Sequence, residues 1–408
     1  MASFCRQVLY AGPCFVTQEK SVSLVKFTLA VLLASVGLAA IPSGWAQTFT
    51  VLYAFTGGTD GAFPEGRVIT DSSGNVYGTT AGLEQSGLEG SVFKLSPKGE
   101  FTLLHSFGTG GVGGAVPTGS LVRTSDGELF GTTLIGGSGS GNGVVFQLDK
   151  KNNFSVFYSF NGTDGAQPSG LILGASGNLY GVAGGGSYTC DGADDIGCGI
   201  VYKLDPSGNE TVLHAFKDGK KGSIPNPGLL LDSAGNLYGT THGSFNRYSA
   251  VIFKLDAAGN ETVLYTFKWD SPGGPVPSGY LVQDVAGNLY GTVANVIFKF
   301  SPNGTYTTLY TFPDGGSSGG LIIDAADNLY GTVGGTGTGP YGFVFKLDPS
   351  GNLTVLHNFD GTDGNAPLTG VTMDAAGNLY GTTIRGGNLN DCPNGNFSGC
   401  GVVFKIRP

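Results

Sequence analysis

The sequence predicts an all-β chain folded as a seven-bladed β-propeller, with four antiparallel strands per blade and a ring closed by its own N-terminal strand. Three observations carry this. The phrase Asn-Leu-Tyr-Gly-Thr recurs at 178–181 (with Val182 for Thr), 236–240, 288–292, 328–332 and 378–382, with variants at 75–79 and 128–132. Its aromatic residues, Tyr77, Phe130, Tyr180, Tyr238, Tyr290, Tyr330 and Tyr380, set a period of about 50 residues, which marks a solenoid, propeller or array. Each unit also carries four strand-like runs. Finally, the chain beyond its leader opens on a copy of the fourth run and ends on a copy of the third.

The first run is a short apolar stretch after Pro or Gly, such as 168–173 or 367–373. The Asn-Leu-Tyr-Gly-Thr phrase is the second. The third is Val-Phe-Lys-Leu, beginning at Val92, Val145, Val201, Ile252, Ile297, Val344 and Val403. The fourth is Val-Leu-Tyr/His-x-Phe, ending at Phe55, Phe107, Phe160, Phe216, Phe267, Phe312 and Phe359. β-Branched and aromatic runs between Gly/Asp/Asn clusters read as strands. No segment beyond the leader sustains a helical period. Tight turns such as 232–236, 205–209 and 348–352 join the first run to the second and the third to the fourth, with Asp and Asn capping and Gly supplying positive φ. Four antiparallel strands per unit, packed radially, make a propeller, whereas solenoids do not usually build such units. The opening run at 48–55 then completes the last blade beside 402–406 and leaves no unpaired edge at the seam.

Residues 1–46 read as a secretory signal and leader, and residues 47–408 as the propeller. Lys20 and Lys26 precede the apolar run 27–40, and Gly44-Trp45-Ala46 offers a small-x-small exit. The run is too short for a comfortable membrane span, and no other stretch could cross as a helix. Of 408 residues, 73 are Gly and 12% are charged, which would suggest disorder if the 11% aromatics were not held in register. Removing Arg6, Lys20, Lys26 and Glu19 with the leader leaves 18 basic and 29 acidic residues, a net −11. That balance argues against nucleic acid as a partner, because counterion release needs basic surface.

Cys5 and Cys14 lie in the leader. Cys190/Cys198 and Cys392/Cys400 share one spacing, and each second Cys is followed by Gly and a third run. Equivalent placement predicts two local disulfides and an oxidising compartment: secreted, periplasmic or cell surface. Zinc is the rival, but Cys-x7-Cys is not a zinc spacing and no His lies near.

Chemistry-bearing residues are few. Short turns on one rim leave the longer connections on the other, and binding residues concentrate in loops held by a rigid scaffold. On that rim the connection 292–295 of the fifth blade nearly vanishes beside the taller loop 241–250, which predicts a notch. His242, Arg247 and Tyr248 stand in the tall loop, and Trp269 and Asp270 in the next connection; an exposed aromatic there could stack a sugar. His105, His214 and His357 occupy the fourth-run position that is Tyr elsewhere and are expected to pack as aromatics. Asp60, Asp164 and Asp363 recur in Gly-Thr-Asp-Gly loops; calcium takes such ligands, but only three loops carry them, so turn capping is the expectation. No metal site or cofactor is expected. Nucleophile elbows, phosphate loops and dinucleotide fingerprints need helices the chain lacks, so no catalytic residue is named.

With these phrases in view, the chain resembles the GloVer tandem-repeat family of exported bacterial proteins, whose unit carries Gly-Asn-Leu-Tyr-Gly-Thr-Thr, Val-Phe-Lys-Leu-Asp and Val-Leu-Tyr-x-Phe. The resemblance covers residues 48–408 and implies a propeller at or beyond the cell surface, without an activity. Gly-Leu-x-x-Asp-x-x-Gly-Asn-Leu-Tyr is also similar to NHL and streptogramin-lyase propellers, but the catalytic His of those lyases has no counterpart that can be placed. The leading expectation is a non-catalytic binding or scaffold propeller recognising a glycan or an exported protein through its loop-rich rim. The alternative is an extracellular lyase or hydrolase at the mouth of the central channel. A buried acid–His or acid–Arg cluster in the channel would favour the enzyme; a lining of backbone, Gly and Ser/Thr would favour binding.

Overall fold

Seven four-stranded antiparallel sheets repeat along the chain of the computed structural model. The structure describes residues 47–82, 88–108, 111–138, 141–186, 197–217, 222–242, 250–268, 276–313, 316, 319–335, 340–388, 392 and 399–407. Blade one contains β2 (Ile69–Thr70), β3 (Val76–Thr80), β4 (Leu88–Leu95) and β5 (Phe101–Gly108). Blade two has β6 (Val122–Arg123), β7 (Leu129–Thr133), β8 (Val144–Leu148) and β9 (Phe154–Ser159). Blade three has β10 (Ala166–Leu173), β11 (Leu179–Gly185), β12 (Ile200–Leu204) and β13 (Glu210–Ala215). Blade four has β14 (Leu230–Leu231), β15 (Leu237–Thr240), β16 (Val251–Leu255) and β17 (Glu261–Thr266). Blade five has β18 (Val282–Gln283), β19 (Leu289–Val293), β20 (Val296–Phe300) and β21 (Tyr306–Thr311). Blade six has β22 (Ile322–Ile323), β23 (Leu329–Val333), β24 (Phe343–Leu347) and β25 (Leu353–Asn358). Blade seven takes β26 (Val371–Met373), β27 (Leu379–Thr383) and β28 (Val402–Arg407) from the C-terminal end and β1 (Thr48–Ala54) from the other end.

That last pairing closes the ring as the sequence predicts. Thr48 pairs with Arg407 and Ala54 with Val402, so β28 has a partner on both edges.

Aromatic packing between neighbouring blades explains two of the recurring phrases. The final Phe of each fourth strand meets the third-strand ring of the next blade edge to face. The seven pairs are Phe55–Phe93, Phe107–Phe146, Phe160–Tyr202, Phe216–Phe253, Phe267–Phe298, Phe312–Phe345 and Phe359–Phe404, with centroids 5.1–5.8 Å apart. These rings are fully or almost fully buried. Within a blade, each third-strand ring lies across the Gly of Asn-Leu-Tyr-Gly-Thr. A Cβ on Gly239 would sit 2.5 Å from Phe253, and one on Gly331 2.8 Å from Phe345. Real side chains do not tolerate such contacts, so the glycine is a packing requirement.

The Asp and Tyr of each repeat meet at the turn rim. In Asp284–Asn288, Asp284 Oδ1 accepts the backbone N–H groups of Ala286 and Asn288. Its Oδ2 accepts Asn288 Nδ2 and the Tyr290 hydroxyl at 2.9 Å. Asp71, Asp232, Asp324 and Asp374 make the same clamp on Tyr77, Tyr238, Tyr330 and Tyr380. A third-strand Lys lies over each of these rings, 5.0–5.8 Å from the centroid.

The first strand is shorter than the sequence suggests. In six blades only two or three residues pair as a named strand, and β10 alone runs the full length. The reason is a bulge. In blade four, Pro225 bridges Thr241 and Leu230 pairs with Tyr238, so five steps on one side face three on the other. In blade three, Pro168 pairs with Ala183 and Ile172 with Tyr180, four steps against three. One residue fewer separates Pro168 from Leu171 than separates Pro225 from Leu229, and the strand stays in the ladder.

Candidate functional site

In six of the seven blades the bulge places one residue at the waist of the central channel. That residue follows the Pro-x-Gly or equivalent segment and is Arg67, Ser120, Gly228, Tyr280, Gly320 and Gly370 in blades one, two, four, five, six and seven. Arg67 reaches across the axis. Its Nε donates to the carbonyl of Thr369 at 3.3 Å and its Nη2 to that of Leu321 at 3.4 Å. Its guanidinium carbon lies 4.4 Å from the centroid of the Tyr280 ring. Ser120 Oγ accepts the Arg67 backbone N–H at 3.1 Å and is 3.2 Å from the Tyr280 hydroxyl. The three glycines and the three side chains fit together tightly, because a Cβ on Gly320 would lie 2.3 Å from Arg67 Nη2 and one on Gly228 2.5 Å from the Tyr280 ring.

Protein surrounds the Arg67 guanidinium, and this desolvation pulls its pKa below the usual arginine value, with Tyr280 opposing the shift. The residue as a whole is nevertheless partly solvent-accessible. No carboxylate pairs with it among the described residues. Glu65 stands two residues earlier, toward the loop rim; desolvation pushes its carboxyl above the ordinary glutamate value although the side chain is solvent-accessible. The waist therefore matches neither pattern expected from the sequence. It holds an Arg, a Tyr and a Ser, but no acid on the Arg and no described histidine.

On the loop rim, the connection between β19 and β20 is a two-residue turn, Ala294-Asn295, with Ala294 at φ 48°. His242 follows β15, and its backbone N–H donates to the Ile224 carbonyl at 2.8 Å. Arg247, Tyr248, Trp269 and Asp270, the other four expected binding residues, lie outside the described residues. Cys392 and Cys400 form a disulfide. Cys198 is disulfide-bonded as well, while Cys190 lies outside the described residues.

The chain matches the Gloeobacter/Verrucomicrobia repeat over residues 42–193 and 188–392. It belongs to that family. A search of curated proteins returned no match. Among solved structures, a streptogramin B lyase is similar at TM-score 0.58 and 15% identity, covering 88% of this chain and 97% of its own. Virginiamycin B lyase from Staphylococcus aureus is similar at 0.58 and 16%, covering 89% and 99%. The extracellular domain of a one component system from B. thetaiotaomicron is similar at 0.56 and 11%, covering 87% of this chain and 39% of that one. At such identities the likeness is one of fold. No helix among the described residues is long and apolar enough to cross a membrane.

In this Gloeobacter/Verrucomicrobia repeat protein the remaining candidates have structural partners. Asp60 caps its loop through the Thr56 N–H at 2.8 Å and the Tyr53 hydroxyl at 3.0 Å. Asp164 likewise takes the Asn161 N–H and the Tyr158 hydroxyl, and Asp363 the Asp360 N–H and His357 Nε2 at 2.7 Å. No group of three or more His, Cys, Asp or Glu among the described residues could hold a metal ion. His105 stacks on Phe154 and His357 on Phe49, at 3.8 and 3.5 Å. Burial holds His105 below its ordinary pKa. These contacts belong to an outer belt in which the fourth-strand Tyr or His of six blades meets a residue at the start of the next fourth strand. Two members of the belt are acidic. His214 faces Glu261 at 3.6 Å. Glu210 Oε1 is buried with no hydrogen-bond partner among the described residues.

Sequence reasoning missed Arg67, Tyr280 and Glu210. Each was visible as a departure within a repeated column: Arg and Tyr where three blades carry Gly, and Glu, shared only with Glu261, where the other five carry Phe, Tyr or Leu.

Proposed function

We propose that the protein is an exported, non-catalytic binding or scaffold propeller that engages a glycan or another exported protein through its loop-rich rim. His242, Arg247, Tyr248, Trp269 and Asp270 are its proposed contact residues. One observation carries the reading: the recurring carboxylates and the stacked histidines that could supply acid–base chemistry are engaged as turn caps and blade-to-blade packing. A rigid ring with its variable connections on one rim suits display of a binding surface. Export is supported by the disulfide and by likeness to extracellular domains.

A lyase or hydrolase at the channel mouth is the second reading. Glu65 favours it, since a carboxyl raised by desolvation can act as a general acid. A glycan array followed by product analysis on every bound glycan separates the two. Bound and unaltered glycans, lost with Trp269→Ala or Tyr248→Ala, support the binding reading. Cleaved products that disappear with Glu65→Gln would replace it with the enzyme.

A further inference from the structure

We propose that the channel waist is a binding site for a small carboxylate, entered from the loop rim and anchored by Arg67. This goes beyond the rim reading and holds whatever the rim loops contact. The guanidinium has five N–H donors. Two reach backbone carbonyls, both at long distances, and its Nη1 makes no hydrogen bond to the described residues. A cation set among protein atoms without a counterion is costly unless an anion joins it. The waist supplies none, and Glu65 exerts no resolved influence on Arg67.

The neighbouring hydroxyls add a donor. Ser120 Oγ and Tyr280 Oη share one hydrogen bond, which uses one of their two protons. Ser120 Oγ already accepts from the Arg67 N–H, so one hydroxyl proton remains, whichever oxygen carries it. A planar fork of N–H donors is the geometric complement of a carboxylate. The bulk of the ligand is limited by the walls, because Gly228, Gly320 and Gly370 stand where any side chain would meet Arg67 or Tyr280. Arg67 precedes β2 on the side where the chain enters the blade, which makes the loop rim the proposed route of entry.

Isothermal titration of the full chain with sodium glucuronate and sodium acetate at fixed ionic strength, with glucose as the uncharged control, tests this. Saturable binding of glucuronate, competition by acetate and no response to glucose are expected. Arg67→Gln should weaken glucuronate at least tenfold. The double variant Ser120→Ala/Tyr280→Phe, which keeps the guanidinium, should weaken it by roughly tenfold, the scale of one hydrogen bond to a charged group. The proposal is overturned if neither salt binds the wild-type chain, if glucose binds as well as glucuronate, or if folded Arg67→Gln keeps wild-type affinity. Should Arg67→Gln fail to fold, unchanged affinity in the double variant overturns it. Loss of glycan binding at the rim with carboxylate binding retained would sink only the rim reading.

Discussion

At the turn rim, Asp71, Asp232, Asp284, Asp324 and Asp374 each hold an Asn and a Tyr in the same way. At the waist, the residue after the bulge is Arg, Ser, Gly, Tyr, Gly and Gly in the six blades that have one. The contrast has a geometric cause. Each blade owns its turn, so a good solution can be copied seven times. The axis is shared, and side chains converging on it compete for one volume. Gly320 has no room for a Cβ because Arg67 Nη2 would lie 2.3 Å from it, and Gly370 has none because the Gly320 carbonyl oxygen would lie 2.3 Å and Arg67 Nη2 2.9 Å away. Repetition therefore reports the demands of the backbone, and departure from it reports the one place where the ring has a single interior.

The largest effect should come from the repeated part. Phe253→Ala empties a fully buried position that packs on both Gly239 and Phe216. Large-to-small core substitutions of this kind cost about 3–5 kcal/mol, read as a lowered urea midpoint. Arg67→Gln at the waist should move the midpoint far less, because it also relieves a desolvated charge. If the two variants were equally destabilised, the waist would be a structural plug and the comparison would fail.

Blade number, strand order, ring closure and the capped turns were legible in the sequence because each is written locally and repeated. Asp284 and Tyr290 lie six positions apart, so their partnership sits inside one phrase. The waist was not legible, because Arg67 meets Leu321 and Thr369 across separations of 254 and 302 residues. Nothing in a local window predicts that meeting. The bulge was hidden for a related reason: only the count of steps between paired neighbours distinguishes Pro225–Leu229 from Pro168–Leu171. Of the rim candidates, His242 is placed, and the other four stand outside the described residues.

Breaking one clamp should have an intermediate effect. Asp284→Ala removes four hydrogen bonds to a carboxylate at a partly exposed turn and should cost about 1–2 kcal/mol. The same variant should change the acid response. Desolvation raises the Asp284 pKa, but the bonds from Asn288, Tyr290 and Ala286 outweigh it, so the folded-state value lies below the ordinary one. A depressed carboxyl pKa stabilises the fold above the unfolded value, near 3.8, and that contribution disappears as pH falls through the folded value. Urea midpoints measured from pH 6 down to pH 2 should fall more steeply for the wild type than for Asp284→Ala. Parallel curves would deny the clamp any role.

Glu210 sharpens the comparison from the opposite sign. It stands in the outer belt where four other blades place a ring, facing Asp164, Tyr158 and Tyr202. Desolvation, with the Asp164 charge second, raises its pKa to about 7. A raised carboxyl pKa means that the folded state holds the proton more tightly than the unfolded chain. Stability from this group is full below the unfolded value of 4.5 and is lost as pH rises through about 7. Glu210→Gln should flatten the stability profile between pH 4.5 and 8 and raise the urea midpoint at the alkaline end. A midpoint unchanged at pH 8 would show that the carboxylate is solvated after all.

The smallest effect tests whether a departure at the turn rim is only a missing clamp. Blade two carries Thr124 and Phe130 where five blades carry Asp and Tyr, so both partners of the hydrogen bond are absent together. Thr124 Oγ1 accepts only the Glu128 N–H from the turn, at 3.0 Å, and itself donates to Asp126. Installing Asp by Thr124→Asp alone adds a carboxylate beside Asp126 and Glu128 without its phenol. Adding Phe130→Tyr supplies the hydroxyl, and the pair should stabilise blade two by a few tenths to about 1 kcal/mol relative to the sum of the single changes. Phe130 also meets Phe157 edge to face at 5.0 Å, a contact the added hydroxyl leaves in place. A double-mutant cycle on urea midpoints reads the coupling directly. Coupling near zero would mean that the Asp–Tyr bond adds nothing to what the Asp–backbone bonds already supply, and the recurrence of Tyr would then rest on its ring beneath the third-strand Lys.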